Sequence, residues 1–332
     1  MLLCWGRLYL KFLLQEVIVL RQRIHKIFVV FLAMLFLLAG CSSGDQSGQQ
    51  VEQMDLAPTI GHKDVSNDTG ELKVHFIDVG QGDSILIEID DSAMLIDAGE
   101  NNQGNTVVKY LQSQDIDRLD YVIGTHPHSD HIGGLDTVID SIPVENIILP
   151  PVAHTTKTFE DVLNAVEAAG KQLTKPRVGD TYSLGSATFT IIAPNSEEYE
   201  NLNNYSVGIK LKHGNNSFLF TGDAEKLAEN EMLKNGIDLS ADVLKLGHHG
   251  SSYSSSSDFL DAVNPEYAVI CAGAGNEYGH PHVEILQDML DRNIKIYRTD
   301  LQGTVVFTSD GRHISVNAHE YIVSEEDLLR DK

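Results

Sequence analysis

Thr125-His126-Pro127-His128-Ser129-Asp130-His131-Ile132-Gly133-Gly134 places three histidines and an aspartate at the spacing H-x-H-x-D-H. Imidazole and carboxylate are the usual side-chain ligands of zinc and of harder divalent ions. Four such groups within six residues repel one another when charged and are wasted when buried dry. The chemistry they suit is the capture of a divalent cation. A solvated His-rich loop is the plain alternative, but the sequence on both sides matches a built site.

The flanks supply that scaffold. Leu119-Asp120-Tyr121-Val122-Ile123-Gly124 reads as a buried strand. The tight turn after it throws His126 and His128 to one side, with Asp130 and His131 reaching a second point nearby. Further strands are predicted over residues 73–79, 83–90, 93–97, 146–149, 188–192, 207–212, 217–220, 243–246 and 268–271, with closing strands to residue 316. The 207–212 and 217–220 runs form a hairpin closed at residues 213–216. Helices are predicted over 105–113, 135–141, 158–169, 224–234, 258–263 and 283–291. Strand-rich stretches interleaved with helices occur twice over, without a tandem sequence repeat. That order suits an α/β fold of two sheets packed face to face with helices outside.

Four further strings stand in order around the histidine motif: residues 75–84 (His75 to Ser84, containing Asp78-Val79-Gly80-Gln81-Gly82-Asp83), 95–99 (Leu95-Ile96-Asp97-Ala98-Gly99), 219–223 (ending Thr221-Gly222-Asp223) and 244–251 (containing His248-His249-Gly250-Ser251). Together with the histidine motif they resemble the metallo-β-lactamase superfamily. Within it, the set is similar to the hydrolase domain of ComEC-type DNA-uptake proteins and their stand-alone relatives, and to choline-phosphate esterases of bacterial cell walls. The resemblance spans residues 72–317. It implies a four-layer αβ/βα sandwich with the site at one edge between the sheets.

The resemblance also implies roles. His126, His128, Asp130, His131, Asp223 and one of His248 and His249, with His248 preferred, would hold two divalent ions, zinc or manganese. Asp223 would bridge them; from local sequence alone it is equally a helix cap. Asp130 would also orient the attacking water, and His249 or His280 would protonate the departing oxygen. Asp97 is the natural carboxylate to orient His126. Asp78 and Asp83, around the glycine turn, are further outer contacts or simply turn residues. Asn203 stands where many superfamily members carry a histidine, as it does in ComEC-type relatives, while His154 and His213 are poor substitutes. The serine run at residues 251–257 is a substrate contact or a linker and helix cap.

Composition bounds the partners and the compartment. The chain has 332 residues and a formal net charge of −24. Residues 1–40 carry Arg7, Lys11, Arg21, Arg23 and Lys26 against Glu16, a net of +4, so the remainder carries −28. Such a surface repels phosphate backbones at long range and argues against tight non-specific nucleic-acid binding. The basic stretch at 21–26, the apolar run at 27–38 and Leu38-Ala39-Gly40-Cys41 read as an export signal ending in a lipoprotein lipobox. The expected organisation is a signal over 1–41 with Cys41 lipidated, a flexible linker over 42–70, a hydrolase domain over 71–320 and a tail over 321–332. Residues 1–19 are unusual for such a signal and are consistent with translation starting nearer Leu20. The chain is then a lipid-anchored protein on the extracytoplasmic face of the cell membrane, with no obligate protein partner. Of the three cysteines, Cys4, Cys41 and Cys271, the last lies in an apolar strand and reads as a core residue.

The expected activity is metal-dependent hydrolysis of a phosphodiester, in nucleic acid or a cell-wall polymer. Hydrolysis of a carbonyl substrate (lactone, thioester or β-lactam) is the second reading. A non-catalytic surface binding module is the third, and it predicts loss of ligands that this chain retains.

Overall fold

The computed structural model describes residues 70–329, which belong to one compact unit. The export signal, Cys41 and nearly all of the linker lie outside the described residues.

Sequence alternation dictates the layers. In β1 (Leu72–Phe76), Leu72, Val74 and Phe76 face one way; in β2 (Ile85–Ile89) and β3 (Ser92–Ile96), Ile85, Ile87, Ile89, Met94 and Ile96 join them. The alternate residues Leu86, Ala93 and Leu95 face the other way, because strand side chains change sides at every residue. The first half continues through α1 (Gly104–Ser113), β4 (Leu119–Ile123), α2 (Ser129–Ile132), α3 (Leu135–Ser141), β5 (Val144–Ile148), α4 (Lys157–Ala168) and β6 (Leu173–Thr174).

The second half runs β7 (Thr181–Leu184), β8 (Ala187–Ala193), β9 (Gly208–His213), β10 (Asn216–Phe220), α5 (Lys226–Lys234), β11 (Val243–Lys245), α6 (Ser257–Val263), β12 (Tyr267–Ile270), α7 (Val283–Asp291) and β13 (Lys295–Arg298). After the short α8 (Thr299–Gln302), β14 (Val305–Ser309) and β15 (Ile314–Val316) return to the first sheet, β14 pairing antiparallel with β1. The sheet orders are β15-β14-β1-β2-β3-β4-β5-β6 and β13-β12-β11-β10-β9-β8-β7.

Three apolar clusters separate four layers. One fills the space between the sheets, with Phe76, Phe189, Phe218 and Phe307 at its heart. A second packs α1, α3 and α4 on the outer face of the first sheet, and a third packs α5, α6 and α7 on the outer face of the second. This is the expected αβ/βα sandwich. The parallel pairings β3–β4, β4–β5, β10–β11, β11–β12 and β12–β13 send several chain turns out at the same ends of the strands, where open α/β sheets hold ligands.

The helices over 135–141 and 283–291 match the sequence reading residue for residue, and most other elements differ only at their ends. β6 and β7 were not anticipated. They are edge strands with half-exposed side chains, too short and too polar to show a strand period. The expected tail is packed: Tyr321 donates its backbone N–H to Ile296 O at 2.7 Å, and Leu328 lies against the outer apolar cluster.

Candidate metal centre

Each candidate side chain leaves the end of a strand. Asp83 follows β1, Asp97 follows β3, the histidine motif follows β4, Asp223 follows β10 and the His248-His249 pair follows β11. Two devices draw these turns together. Gly82 (φ +125°) sits so close to the Asp130 carbonyl that an added Cβ would lie 2.1 Å from that oxygen, and Asp83 N donates to the same oxygen at 3.1 Å. Asp97, His248 and His249 are non-glycine residues with φ of 58°, 49° and 56°. Left-handed backbone costs such residues about 1–3 kcal/mol each, and it concentrates where a site holds the chain in place.

Asp223 is the centre of the arrangement. Its Oδ2 lies 3.1 Å from His131 Nε2, 3.5 Å from His249 Nε2, 3.6 Å from His248 Nε2 and 3.8 Å from His126 Nε2. On one side of it, His126 Nε2 and His128 Nδ1 are 2.9 Å apart. On the other, Asp130 Oδ2 is 3.2 Å from His249 Nε2 and 3.8 Å from His131 Nε2. Ligands held tetrahedrally at about 2.0–2.2 Å from one ion stand about 3.3–3.6 Å from each other, so these spacings are close to those a cation sets. His131 Nε2, on the open side of the cluster, is buried without a well-formed hydrogen bond. A buried polar atom normally has one, and a cation is the partner that suits this nitrogen. The donor set fits a divalent ion.

Electrostatics agree. Burial disfavours a charged His131, yet the carboxylates of Asp223, Asp130 and Asp97 outweigh it and raise the ring well above the ordinary histidine range. His249 rises likewise, against burial, through Asp223, Asp130 and Asp83. His126 moves the opposite way, driven down by burial and by the His131 charge. The carboxylates thus concentrate demand for positive charge at one point, which protons or a divalent ion can meet.

Outer partners fix the rings. Asp97 accepts from Thr125 N at 2.8 Å and from Thr125 Oγ1 at 2.7 Å, and its Oδ2 lies 2.8 Å from His131 Nδ1. Asp97 therefore orients His131. The sequence reading gave it His126, whose Nδ1 instead meets Thr125 Oγ1 at 3.1 Å and Ser206 Oγ at 3.4 Å; β3 and β4 are neighbours in the sheet, and His131 is the ring that returns over the end of β3. His249 Nδ1 donates to Cys271 O at 2.8 Å, which leaves Nε2 facing the carboxylates. Cys271 is buried, and burial raises its thiol.

Asp83, His131, Asp223 and His249 each offer a ligand atom within 4.8 Å of the others. Asp83, however, faces the Nδ1 edges of His249 (3.3 Å) and His131 (3.8 Å), behind the rings, and forms an ion pair with Lys245. That position makes it an orienting carboxylate. The open edges of the rings meet Asp130 and Asp223.

His248 is part-buried, its Nδ1 3.5 Å from Asn203 Nδ2 and 3.8 Å from Glu225 Oε1. Asn203 donates to Glu225 at 2.9 Å and keeps a buried Oδ1 without a partner. His280 lies 5.4 Å from His248 and 6.0 Å from His249, ring to ring, and stacks against exposed Tyr278. Burial and the neighbouring imidazoles lower His280 to about 3. Asp78 stands apart: it is exposed, and its Oδ1 accepts from Gly80 N at 3.1 Å, closing the turn. His154 pairs with Thr156, and His213 ends β9 buried against Ser309 Oγ at 2.9 Å. The serine run is structural. Ser254 Oγ donates to Ala224 O at 2.8 Å, and Ser255 and Ser256 donate their backbone N–H groups to Glu229.

Sequence reading missed Lys245, Thr125, Ser206 and Glu225 as parts of the site. Lys245 had a visible signal, a lone cation in the apolar run Val243–Leu246 just before the histidine pair. Ser206 and Glu225 had none, because only folding brings them to the cluster.

The family model of the metallo-beta-lactamase superfamily matches residues 77–274, and the chain belongs to that superfamily. Among its relatives are ComE operon protein 3 of Bacillus subtilis, 30% identical over 74% of this chain and 34% of the relative, and competence protein ComA of Neisseria gonorrhoeae, 31% identical over 76% and 34%. The chain thus spans about a third of the length of these curated relatives. A solved structure, a metallo hydrolase from Ignicoccus hospitalis, is 16% identical with a TM-score of 0.49, covering 71% of this chain and 98% of that one.

Proposed function

We propose that this chain is a hydrolase of phosphodiesters that works with two divalent ions, zinc or manganese. One observation carries the reading: a single carboxylate oxygen, Asp223 Oδ2, faces four imidazole nitrogens at 3.1–3.8 Å, with further donors on either side. His126, His128 and Asp223 would hold one ion, with His248 and Asn203 beside it. Asp130, His131, His249 and Asp223 would hold the other. Such ions supply a reactive water at neutral pH and stabilise charge on the attacked group.

The protein's own groups do the rest. Asp130, part-exposed and held well below the usual carboxylate range by His131 and His249 despite burial, is an acceptor that can orient a water at the mouth of the cluster. Burial and the neighbouring imidazoles lower His280 to about 3, so near neutral pH it is a weak base that carries no extra proton for a departing oxygen. The donor role read from sequence suits it only after it has gained that proton. Cys271 O and Asp97 keep His249 and His131 from turning away.

The resemblance to ComEC-type DNA-uptake proteins, with a competence protein among the relatives, favours nucleic acid as the phosphodiester. The strong negative charge keeps a cell-wall polymer in view. Asn203 at the missing-histidine position disfavours β-lactam hydrolysis. A lipid anchor at Cys41 would hold the domain on the outer face of the cell membrane, and Cys41→Ala is then expected to release the chain from the membrane fraction.

Turnover of bis(p-nitrophenyl) phosphate, plasmid DNA and nitrocefin with added Mn²⁺ or Zn²⁺ tests the reading. Phosphodiester cleavage abolished by His128→Ala is the expected outcome. Turnover of nitrocefin alone would overturn it, and a protein that binds no ion and cleaves nothing would favour a binding module.

A further inference from the structure

Lys245, on β11, is fully buried directly behind the cluster. Among the described residues, only it and Arg298 are buried lysines or arginines. Its ammonium group pairs with Asp83, donates to Gly222 O at 3.3 Å and lies 4.0 Å from Asp223 Oδ1. Asp83 follows β1 of the first sheet, whereas Lys245 and Gly222 belong to the second half. One side chain therefore grips two turns, each carrying a cluster carboxylate, Asp83 and Asp223. A third turn, Gly247 to Gly250, begins two residues after Lys245 itself.

Stability is a weak reason for such a pair. Desolvating two charges is expensive, and apolar residues of similar volume often leave a protein as stable or more so. The geometry supplies another reason. With Asp223 Oδ1 facing Lys245, Oδ2 is turned to the four imidazoles. With Asp83 Oδ2 held by Lys245, Oδ1 backs the Nδ1 edge of His249 at 3.3 Å.

We propose that Lys245 and Asp83 are positioning residues, an internal ion pair that joins the two halves beneath the cluster and aims Asp223 and His249 for cation binding. This rests on the metal reading of the site. Outer partners of metal ligands typically contribute 10–100-fold in metal affinity, and a similar loss is expected here.

The test is Zn²⁺ affinity of the full-length chain and of Lys245→Met/Asp83→Leu, measured by competition with a chromophoric chelator beside thermal unfolding of the metal-free proteins. A tenfold or greater loss of affinity in a folded double variant supports the proposal. A smaller loss overturns it, whatever the melting temperature does, because a purely structural pair moves stability and not affinity. Should the double variant not fold, Asp83→Asn keeps the volume and one oxygen and is read by the same threshold. A parent chain that binds no Zn²⁺ would instead sink the metal reading.

Discussion

Asp97 shows how much one buried carboxylate does here. It fixes Thr125 through two hydrogen bonds and His131 through a third, so a ligand ring and the start of the histidine turn share one anchor. Asp97→Asn removes the charge and puts an amide donor where an acceptor is needed. It should weaken Zn²⁺ or Mn²⁺ binding by about 10–100-fold, read by chelator competition, and lower phosphodiester turnover with it. Asp78→Asn is the matched control. Asp78 is exposed and only closes a turn, so its replacement should leave cation affinity unchanged.

The turns between strand ends and helices decide whether the side chains meet at all. Gly80 and Gly82 share one glycine-rich turn but differ in surroundings. A Cβ at Gly80 meets open space, and the penalty of Gly80→Ala is its positive φ alone, about 1–2 kcal/mol of stability with cation binding intact. A Cβ at Gly82 strikes the Asp130 carbonyl, so Gly82→Ala must push apart the turns bearing Asp83 and Asp130. It should cost more stability in urea unfolding and should also lose cation affinity. Equal behaviour of the two variants would contradict this account of the turn. Comparable constraint acts at Gly133 and Gly134, where an added Cβ would meet backbone atoms of Asn101, Ser129 and Ala98 at 2.3–2.5 Å.

Taken together, the two sheets form a clamp whose site lies where their strand ends meet, and ion binding should therefore stabilise the folded state as a unit. The unfolded chain separates Asp83, Asp130, Asp223 and His249 and cannot present them together. Mass action predicts about 2.7 kcal/mol of added stability when free ion stands at 100 times its dissociation constant. Chelation should lower the melting temperature, and graded return of Zn²⁺ or Mn²⁺ should raise it with the logarithm of concentration. A melting temperature indifferent to chelator would contradict a folded-state cation site. No helix among the described residues is long and apolar enough to cross a membrane.

The local chemistry was legible before folding. The H-x-H-x-D-H spacing, the glycines behind it and the strand in front are neighbours along the chain, so sequence alone determined that a turn rich in potential cation ligands follows β4. Strand alternation likewise determined the layers, because every second residue of β1 to β3 must be apolar to face the other sheet. Only tertiary structure decided the pairings. Asp97 went to His131 because of how β3 and β4 lie side by side, Asp83 went behind the rings because Lys245 draws it there, and Ser206 and Glu225 arrived from distant turns. Spacing along a chain sets which groups are available, but distance in space sets which atom each one faces, and that is fixed by packing between sheets that no local pattern encodes.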